Sequence, residues 1–186
     1  TKATQEEMVL SFGRTYRVPT VALRYFNVYG PRQSLSNPYT GVLAIFLSRL
    51  KNQNPPLVYE DGLQSRDFIS IHDIVRANLL AMESSAADYQ AFNVGVGDPL
   101  SIRSVAEGLA DLLDLPIAPT ILQQFRPGDV RHCFADITRI RKALHFEPQV
   151  KFLDGVRELV EWSKDEAAVD KFDAMTEDLK LRGLAG

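Results

Sequence analysis

The sequence has only one cysteine, no long apolar run and no cluster of basic residues, and each absence excludes a class of protein. Because Cys133 stands alone, neither an internal disulfide nor a cysteine-based zinc cluster can form, which is typical of a reducing compartment. No apolar stretch approaches the length of a membrane-spanning helix. The net charge is only −3 and lysine and arginine are scattered, so we expect a cytoplasmic protein with no nucleic-acid or membrane partner.

Common catalytic motifs are also absent. The chain has no Gly-x-Ser-x-Gly elbow, no His-Glu-x-x-His metal motif, no Gly-x-x-x-x-Gly-Lys phosphate loop and no Gly-x-Gly-x-x-Gly turn. His132 and Cys133 are adjacent, so in an extended segment their side chains point to opposite faces and do not form a nucleophile and base pair. The three histidines lack the spacing of metal ligands, and we expect no metal site.

What is present is an alternation of helical and strand patterns, which is typical of the α/β class. Apolar residues at three- and four-residue spacings predict a helix over residues 1–17. Residues 20–29 are almost continuously apolar, which predicts a strand buried on both faces of a parallel sheet. Further helices are predicted over 41–50, 72–82 and 136–144 and after the capping Ser101. Short strands are predicted at 57–59, 66–71, 91–94 and 149–152, the first two forming a hairpin around Asp61 and Gly62.

Four motifs follow one another along the chain. They are Arg-Tyr-Phe-Asn-Val-Tyr-Gly-Pro-Arg at 24–32, Asp-Gly-Leu-Gln-Ser-Arg-Asp-Phe-Ile at 61–69, Phe-Asn-Val-Gly at 92–95 and Arg-Pro-Gly-Asp at 126–129. In this order and spacing the chain resembles the extended short-chain dehydrogenase/reductase family. Within that family it is similar to the NAD-dependent nucleotide-sugar epimerases and dehydratases, nearest the UDP-hexose 4-epimerases. The resemblance extends to about residue 162.

The resemblance implies a fold in two parts. Residues 1–30 and about 68–97 would form the C-terminal part of a Rossmann-type parallel sheet that binds NAD. Residues 31–67 and about 98–165 would form a small α+β domain that binds the nucleotide sugar, and 166–186 a helical tail. The Gly-rich turn that holds the NAD pyrophosphate in this family has no counterpart here, so we expect a missing N-terminal half to bind most of the cofactor.

The implied reaction is a transient oxidation at C4 of a UDP- or dTDP-hexose, in which NAD takes the hydride and returns it to the other face of the sugar. Thr1 and Lys2 match the last two residues of the Tyr-x-x-x-Lys motif of the family. Lys2 would then be a catalytic residue that also binds the nicotinamide ribose, and Tyr25 would lie on the nicotinamide side. The catalytic tyrosine would precede Thr1, so we expect the chain alone to be inactive.

Alternative functions stay open at this stage. A nucleotide-sugar 4,6-dehydratase of the same family differs in a segment just before the tyrosine motif, which this sequence does not contain. A non-catalytic nucleotide-sugar-binding module would keep the fold and lose the chemistry. The identities of the sugar and the base are equally open. In relatives the first helix helps to build a dimer interface, so the resemblance also implies a homodimer.

The resemblance assigns several side chains to the nucleotide sugar. Asn27 would contact the phosphosugar, and an amide inside an apolar run needs a hydrogen-bonding partner in any case. Arg66 and Arg126 would hold the diphosphate, since a guanidinium can clamp two phosphoryl oxygens, while Asp129 would accept from the ribose. The remaining assignments are the helix start at Thr40 and Gly41, the base-flanking Leu57 and Tyr59, and Cys133, whose small side chain leaves room for an N-acetyl group at the sugar C2.

Overall fold

The computed structural model describes residues 1–37, 40–124, 128–172 and 177, and within them helices alternate with short strands. The helices are α1 (Lys2–Tyr16), α2 (Val42–Lys51), α3 (Ile71–Glu83), α4 (Ile102–Leu112), α5 (Thr138–Leu144) and α6 (Phe152–Ser163). The strands are β1 (Val21–Tyr25), β2 (Asn27–Tyr29), β3 (Leu57–Val58), β4 (Ser65–Arg66), β5 (Phe68–Ser70), β6 (Gln90–Val94), β7 (Leu100–Ser101), β8 (Thr120–Ile121) and β9 (His132–Cys133). Among the described helices, none combines the length and the apolar character that crossing a membrane requires.

Strand pairing is mainly parallel, which confirms the predicted α/β class. β1 pairs with β6, β2 with β5 and β3 with β8, all in parallel. β4 lies between β7 and β9, antiparallel to β7 and parallel to β9. Parallel pairing requires crossover connections, and α2, α3 and α4 lie in those connections.

The strand predicted over residues 20–29 is divided in two because the chain changes partner at Phe26. The N–H of Phe26 still donates to the carbonyl of Val94 on β6 (3.3 Å), whereas the N–H of Asn27 donates to the carbonyl of Asp67 (2.9 Å). The strand predicted over 66–71 is divided in the same way at Asp67, with β4 in the three-stranded sheet and β5 beside β2. The two changes of partner therefore lie next to each other.

Two local predictions are wrong. β3 and β4 do not form a hairpin across Asp61 and Gly62, because β3 pairs with β8 and β4 with β7 and β9. Residues 149–151 are not a strand, since the N–H groups of Gln149 and Val150 donate to the carboxylate of Asp73 (3.0 and 3.1 Å) and α6 begins at the next residue but one. In both places a partner distant in the sequence replaces the local one.

Buried side chains form two main clusters. The first lies between α2, α4 and α6 and includes Phe46 and Leu159, and the second lies between β5, β6, α3 and α5 and includes Ile69 and Phe92. The apolar stripe of α4 packs into the first cluster, and Ser101 caps this helix through its side-chain oxygen, as predicted. Side chains from 135–146 belong to the second cluster.

The segment after α6, residues 164–172, lies along α2 and is called the strap below. Its polar anchors are the hydrogen bonds from Lys51 Nζ to Glu166 O (2.8 Å), from Asn52 Nδ2 to Ala168 O (2.9 Å) and from Val169 N to Ser36 Oγ (3.0 Å). Arg49 forms a buried ion pair with Asp170 (3.2 Å), and its guanidinium lies over the ring of the buried Phe172. Residues 166–171 form no helix, and the rest of the predicted helical tail lies outside the described residues apart from 172 and 177.

Candidate functional site

Asn27 and Gly41 share a cavity of about 200 Å³ whose lining also includes Val42 and Phe68. Asn27 is half-buried at the start of β2, where its pairing with Phe68 begins. Gly41 precedes α2 with an extended backbone (φ −65°, ψ 150°), so the N–H groups of Val42 and Leu43 at the start of the helix have no partner within it, whereas that of Ala44 donates to the carbonyl of Gly41. The cavity therefore combines a side-chain amide with a helix start, a pairing suited to an anionic, hydroxyl-rich ligand.

Gln33 lines the same cavity, although no sequence pattern predicts it there. Its Oε1 atom is buried and has no hydrogen-bond partner among the residues that the structure describes, which leaves an acceptor that a ligand donor can satisfy. A Cβ atom on residue 41 would lie 2.9 Å from Gln33 Nε2, so glycine at 41 leaves room for this amide. A neighbouring cavity of about 420 Å³ shares Val28, Tyr29 and Gln33 with the first. No local pattern identifies Gln33, because the acceptor is isolated only by the packing around it.

Arg66 and Asp129 are brought together as a direct ion pair. Arg66 Nη2 donates to Asp129 Oδ1 at 2.7 Å, and the arginine side chain is 15% exposed whereas the aspartate is 42% exposed. Arg66 Nη1 also donates to the carbonyls of Ser65 (2.8 Å) and Arg131 (3.0 Å). These bonds hold the guanidinium in one orientation. Arg66, predicted to bind the diphosphate, and Asp129, predicted to bind the ribose, are thus neighbours.

Cys133 lies opposite Arg66 in the β4–β9 ladder and is exposed. The preceding pair in the ladder is Ser65 and His132, whose Oγ and Nδ1 atoms are 2.9 Å apart. Because side chains alternate along a strand, Cys133 and His132 belong to opposite faces of the sheet. Arg66, Asp129 and Cys133 therefore form a group at one end of β4.

The structure describes Thr40 but not Arg126. Thr40 is half-buried, and its N–H donates to the carbonyl of Asn37 at 3.2 Å, immediately before the helix start at Gly41. Arg126 lies outside the described residues. Its role in holding the diphosphate stays a prediction.

Leu57 and Tyr59 form a third group with the strap. Both are partly buried and pack with Ile45 against Phe172. The carbonyl of Tyr59 accepts a hydrogen bond from Gln64 Nε2 at 2.9 Å. The side chains predicted to flank the base therefore contact a residue more than a hundred positions later in the chain.

Lys2 and Tyr25 are not among the residues that line the cavity or form the ion pair described above. Lys2 is exposed in the first turn of α1, and within the described residues its ammonium forms no ion pair. Tyr25 ends β1 with 46% of its surface exposed, and its hydroxyl donates to Asn78 Oδ1 on α3 at 2.9 Å. The carboxyl end of a parallel strand is where ligands bind in sheets of this kind. Lys2 and Tyr25 are consequently open to a ligand on the β1 side of the molecule.

A separate charge cluster fixes the loop before Arg66. Arg131 donates to Glu60 Oε2 (2.6 Å) and to Asp61 Oδ2 (2.7 Å). The hydrogen bond from Arg131 lowers the pKa of Asp61 below its ordinary value, because it favours the charged carboxylate. Over 1–37, 40–124, 128–172 and 177, no group of three or more His, Cys, Asp or Glu side chains is arranged to hold a metal ion.

A known protein family and a curated relative both match this chain. Residues 1–95 match the model of the NAD dependent epimerase/dehydratase family. A dTDP-L-rhamnose 4-epimerase from Burkholderia thailandensis is 36% identical over 167 residues, which cover 89% of this chain and 46% of that protein.

Two solved structures are similar to the chain as well. The UDP-N-acetylglucosamine 4-epimerase from Methanobrevibacter ruminantium, in complex with UDP-N-acetylmuramic acid, has a TM-score of 0.82 and 38% identity, covering 89% of this chain and 52% of that one. The UDP-glucose 4-epimerase from Thermotoga maritima, with UDP-glucose, has a TM-score of 0.78 and 35% identity, covering 86% and 50%. The chain spans about half the length of these relatives.

Proposed function

Because the chain belongs to the NAD-dependent epimerase/dehydratase family, we propose that it is the substrate-binding portion of a nucleotide-sugar 4-epimerase. The membership confirms the resemblance to extended short-chain dehydrogenase/reductase enzymes that act on nucleotide sugars. Relatives named as 4-epimerases of dTDP- and UDP-sugars support the choice of reaction over dehydration. The substrate would be a UDP- or dTDP-hexose.

The observation that carries the proposal is the meeting of Arg66, Asp129 and Cys133 at one end of β4. Arg66 would donate to the diphosphate oxygens, since its side chain is partly exposed and already held in one orientation. Once Arg66 is engaged by the ligand, Asp129 would accept from a ribose hydroxyl. Asn27 and the helix start at Gly41 would bind the phosphosugar in their shared cavity.

The described residues fit a nicotinamide cofactor on the β1 side. Lys2 carries an exposed ammonium that can donate to ribose hydroxyls, and Tyr25 presents a half-exposed ring at the carboxyl end of β1. NAD, when bound, supplies the hydride acceptor for the C4 carbon. Of these side chains, Lys2 would bind the nicotinamide ribose and Tyr25 would lie beside the nicotinamide, whereas Asn27, Arg66 and Asp129 would hold the substrate. We retain the prediction that the 186 residues alone do not turn the sugar over.

Cys133 would determine how large a C2 substituent the sugar can carry. Its side chain is small and exposed beside Arg66. The similarity to an enzyme named UDP-N-acetylglucosamine 4-epimerase supports tolerance of an N-acetyl group. We expect Cys133→Tyr to weaken binding of UDP-N-acetylglucosamine more than binding of UDP-glucose, and equal effects on the two would contradict this role.

A homodimer is also proposed. It is supported by an apolar stripe on α1, where Met8, Phe12 and Tyr16 are each more than half exposed at successive turns. A stripe of this kind in a helix is usually covered by another protein surface. Sedimentation of the wild-type chain and of Phe12→Glu measures the mass of each species in solution. We expect a dimer mass for the wild type and a lower mass for the variant, and a monomeric wild type would contradict the dimer.

The proposed substrate is tested by the alkylation rate of Cys133, the one thiol of the chain. UDP-glucose, UDP-N-acetylglucosamine or dTDP-glucose should slow the reaction by covering the thiol, and Arg66→Gln should remove the protection. Arg103→Gln is the matched control, because Arg103 forms an exposed pair with Glu107 on α4. Alkylation that no nucleotide sugar slows, even at millimolar concentration, would overturn the proposed substrate class.

A further inference from the structure

Asp67 is a fully buried carboxylate between β4 and β5, with 0% of its surface exposed. Three backbone N–H groups donate to it. Val96 donates to Oδ1 (2.8 Å), and Gly97 (2.8 Å) and Ala135 (3.0 Å) donate to Oδ2. Burying a carboxylate is unfavourable unless such bonds replace its water, so the 96–97 loop, the segment at Ala135 and Asp67 are held as a unit.

The loop after β6 is shaped to receive an anion. Successive N–H groups of Val96 and Gly97 point to the same carboxylate, as in the backbone nests that bind phosphate and other anions. Gly97 has a positive φ of 82°, a conformation that most residues avoid. A Cβ on Gly95 would lie 2.6 Å from Asp67 Oδ2, so only glycine admits the carboxylate. The nest is thus filled by a side chain of the same protein rather than by a ligand.

The segments that Asp67 joins are those that carry the candidate binding residues. Its carbonyl accepts the N–H of Asn27 at 2.9 Å, which sets where β2 begins. Arg66 is its neighbour in the chain. Ala135 follows Cys133 by two residues, so the bond from Ala135 sets where the strand bearing Cys133 ends. One buried residue therefore sets the relative positions of Asn27, Arg66 and Cys133.

We propose that Asp67 is a positioning residue of the nucleotide-sugar site, which it maintains by holding the Asn27, Arg66 and Cys133 segments in register. The proposal rests on the proposed function for the identity of the ligand. Asp67 itself has no exposed surface with which to touch that ligand. Its carboxylate acts through the backbone of the 96–97 loop and of Ala135, while its backbone carbonyl holds Asn27, and the charge is needed because all three partners of the carboxylate are donors.

The test compares Asp67→Asn with Asp73→Asn. Asp73 is a matched control, since it is also buried and also accepts from two backbone N–H groups, those of Gln149 and Val150, but joins no candidate binding residue. An asparagine turns an NH2 group toward at least one of the N–H donors, so both variants should have lower melting temperatures. We expect Asp67→Asn alone to weaken UDP-glucose binding by about tenfold or more in calorimetric titration. Equal affinities in the two variants would overturn the positioning role.

Amide hydrogen exchange in the ligand-free chain separates this proposal from the proposed substrate. In Asp67→Asn the amides of Asn27 and Ala135 should exchange faster than the wild-type amides, whereas Asp73→Asn should leave them protected. Unchanged protection at Asn27 and Ala135 would overturn the positioning role even if UDP-glucose binds. A wild-type chain that binds no nucleotide sugar would overturn the proposed function and leave the exchange result to decide on Asp67. If Asp67→Asn does not fold, Gly97→Ala tests the same nest, because alanine strains the positive φ of residue 97 although its Cβ would lie no closer than 3.4 Å to the carbonyl of Ala135.

Discussion

Arg66 Nη2 and Asp129 Oδ1 lie 2.7 Å apart, and they join a strand residue to a residue 63 positions later. The cation proposed for the diphosphate is therefore paired with the anion proposed for the ribose. Nucleotide binding would replace this ion pair by two contacts with the ligand. Asp129 therefore competes with the diphosphate for Arg66.

The competition predicts opposite effects of Asp129→Asn on two ligands. Inorganic pyrophosphate should bind more tightly, by up to about fivefold, because an exposed ion pair is worth at most about 1 kcal/mol and its loss frees Arg66. UDP should bind more weakly, because a neutral amide oxygen replaces the charged acceptor for the ribose hydroxyl. Calorimetric titration with each ligand measures both. A parallel change in the two affinities would contradict the assigned roles.

Arg66→Gln should weaken the binding of both pyrophosphate and UDP by about tenfold or more, since a hydrogen bond to a charged group contributes about 1.5–3 kcal/mol. Arg103→Gln, on the exposed face of α4, should leave both affinities unchanged. Calorimetric titration of both variants with pyrophosphate and with UDP measures these affinities. Retention of pyrophosphate binding in Arg66→Gln would exclude Arg66 from the diphosphate contact.

Arg131→Gln should raise the pKa of Asp61 toward its ordinary value, because the hydrogen bond that favours the carboxylate is removed. The lowered pKa means that the pair stabilises the fold above the ordinary titration range of aspartate and stops doing so as the pH falls through the folded-state pKa. The melting temperatures of wild type and variant should therefore differ at neutral pH and converge in strong acid. Carboxyl carbon NMR titration measures the pKa directly, with Arg103→Gln as the variant that should not move it.

Gly155→Ala should destabilise the chain by about 1–3 kcal/mol, since the new Cβ would lie 2.5 Å from the hydroxyl oxygen of Tyr29. Tyr29 cannot easily move away, because it is buried and its hydroxyl donates to the carbonyl of Phe152. Burial also raises the pKa of Tyr29, so the hydroxyl remains a donor. Gly108→Ala on α4 is the control: with no atom within 4 Å of the new Cβ, it should stabilise by about 0.5–1 kcal/mol. Chemical denaturation of both variants measures the free energy of unfolding, and a loss of the same size in each would contradict the clash.

Asp170→Ala should destabilise the chain by about 1.5–3 kcal/mol, because it removes the carboxylate that pairs with the buried guanidinium of Arg49. Glu161→Ala removes the carboxylate of the exposed pair with Lys164 and should change the free energy of unfolding by less than about 1 kcal/mol. Denaturant unfolding of the two variants provides the comparison. An Asp170→Ala chain as stable as Glu161→Ala would show that the strap does not depend on this ion pair.

Local sequence patterns predicted the helices well. The helix expected over 1–17 is Lys2–Tyr16, and the cap at Ser101 is in place, because helical periodicity and capping are properties of neighbouring residues. Strand partners could not be predicted in this way. The chain changes sheets at Phe26 and at Asp67 because of strands far along the sequence, and no local pattern at either residue marks the change.

The residues of the candidate site likewise divide into those that the sequence indicated and those that it did not. The family resemblance implied binding roles for Arg66, Asp129 and Cys133, which the fold brings together, and these assignments stay predictions until ligands are tested. Gln33 and Asp67 were not predicted as site residues. The first depends on an acceptor that packing isolates, and the second on three N–H groups from distant loops.

The strap also constrains the order in which the molecule can be completed during synthesis. Ser36 and Val169 are 133 positions apart, and the anchors of Lys51 and Asn52 are nearly as distant. While the chain is still emerging from the ribosome, α2 therefore has no strap, and the apolar group of Ile45, Leu57 and Tyr59 has no Phe172 to cover it. Contacts between such distant segments form late, and the exposed surface they leave in the meantime favours aggregation. A nascent chain stalled before residue 164 should consequently be the species that depends most on chaperones.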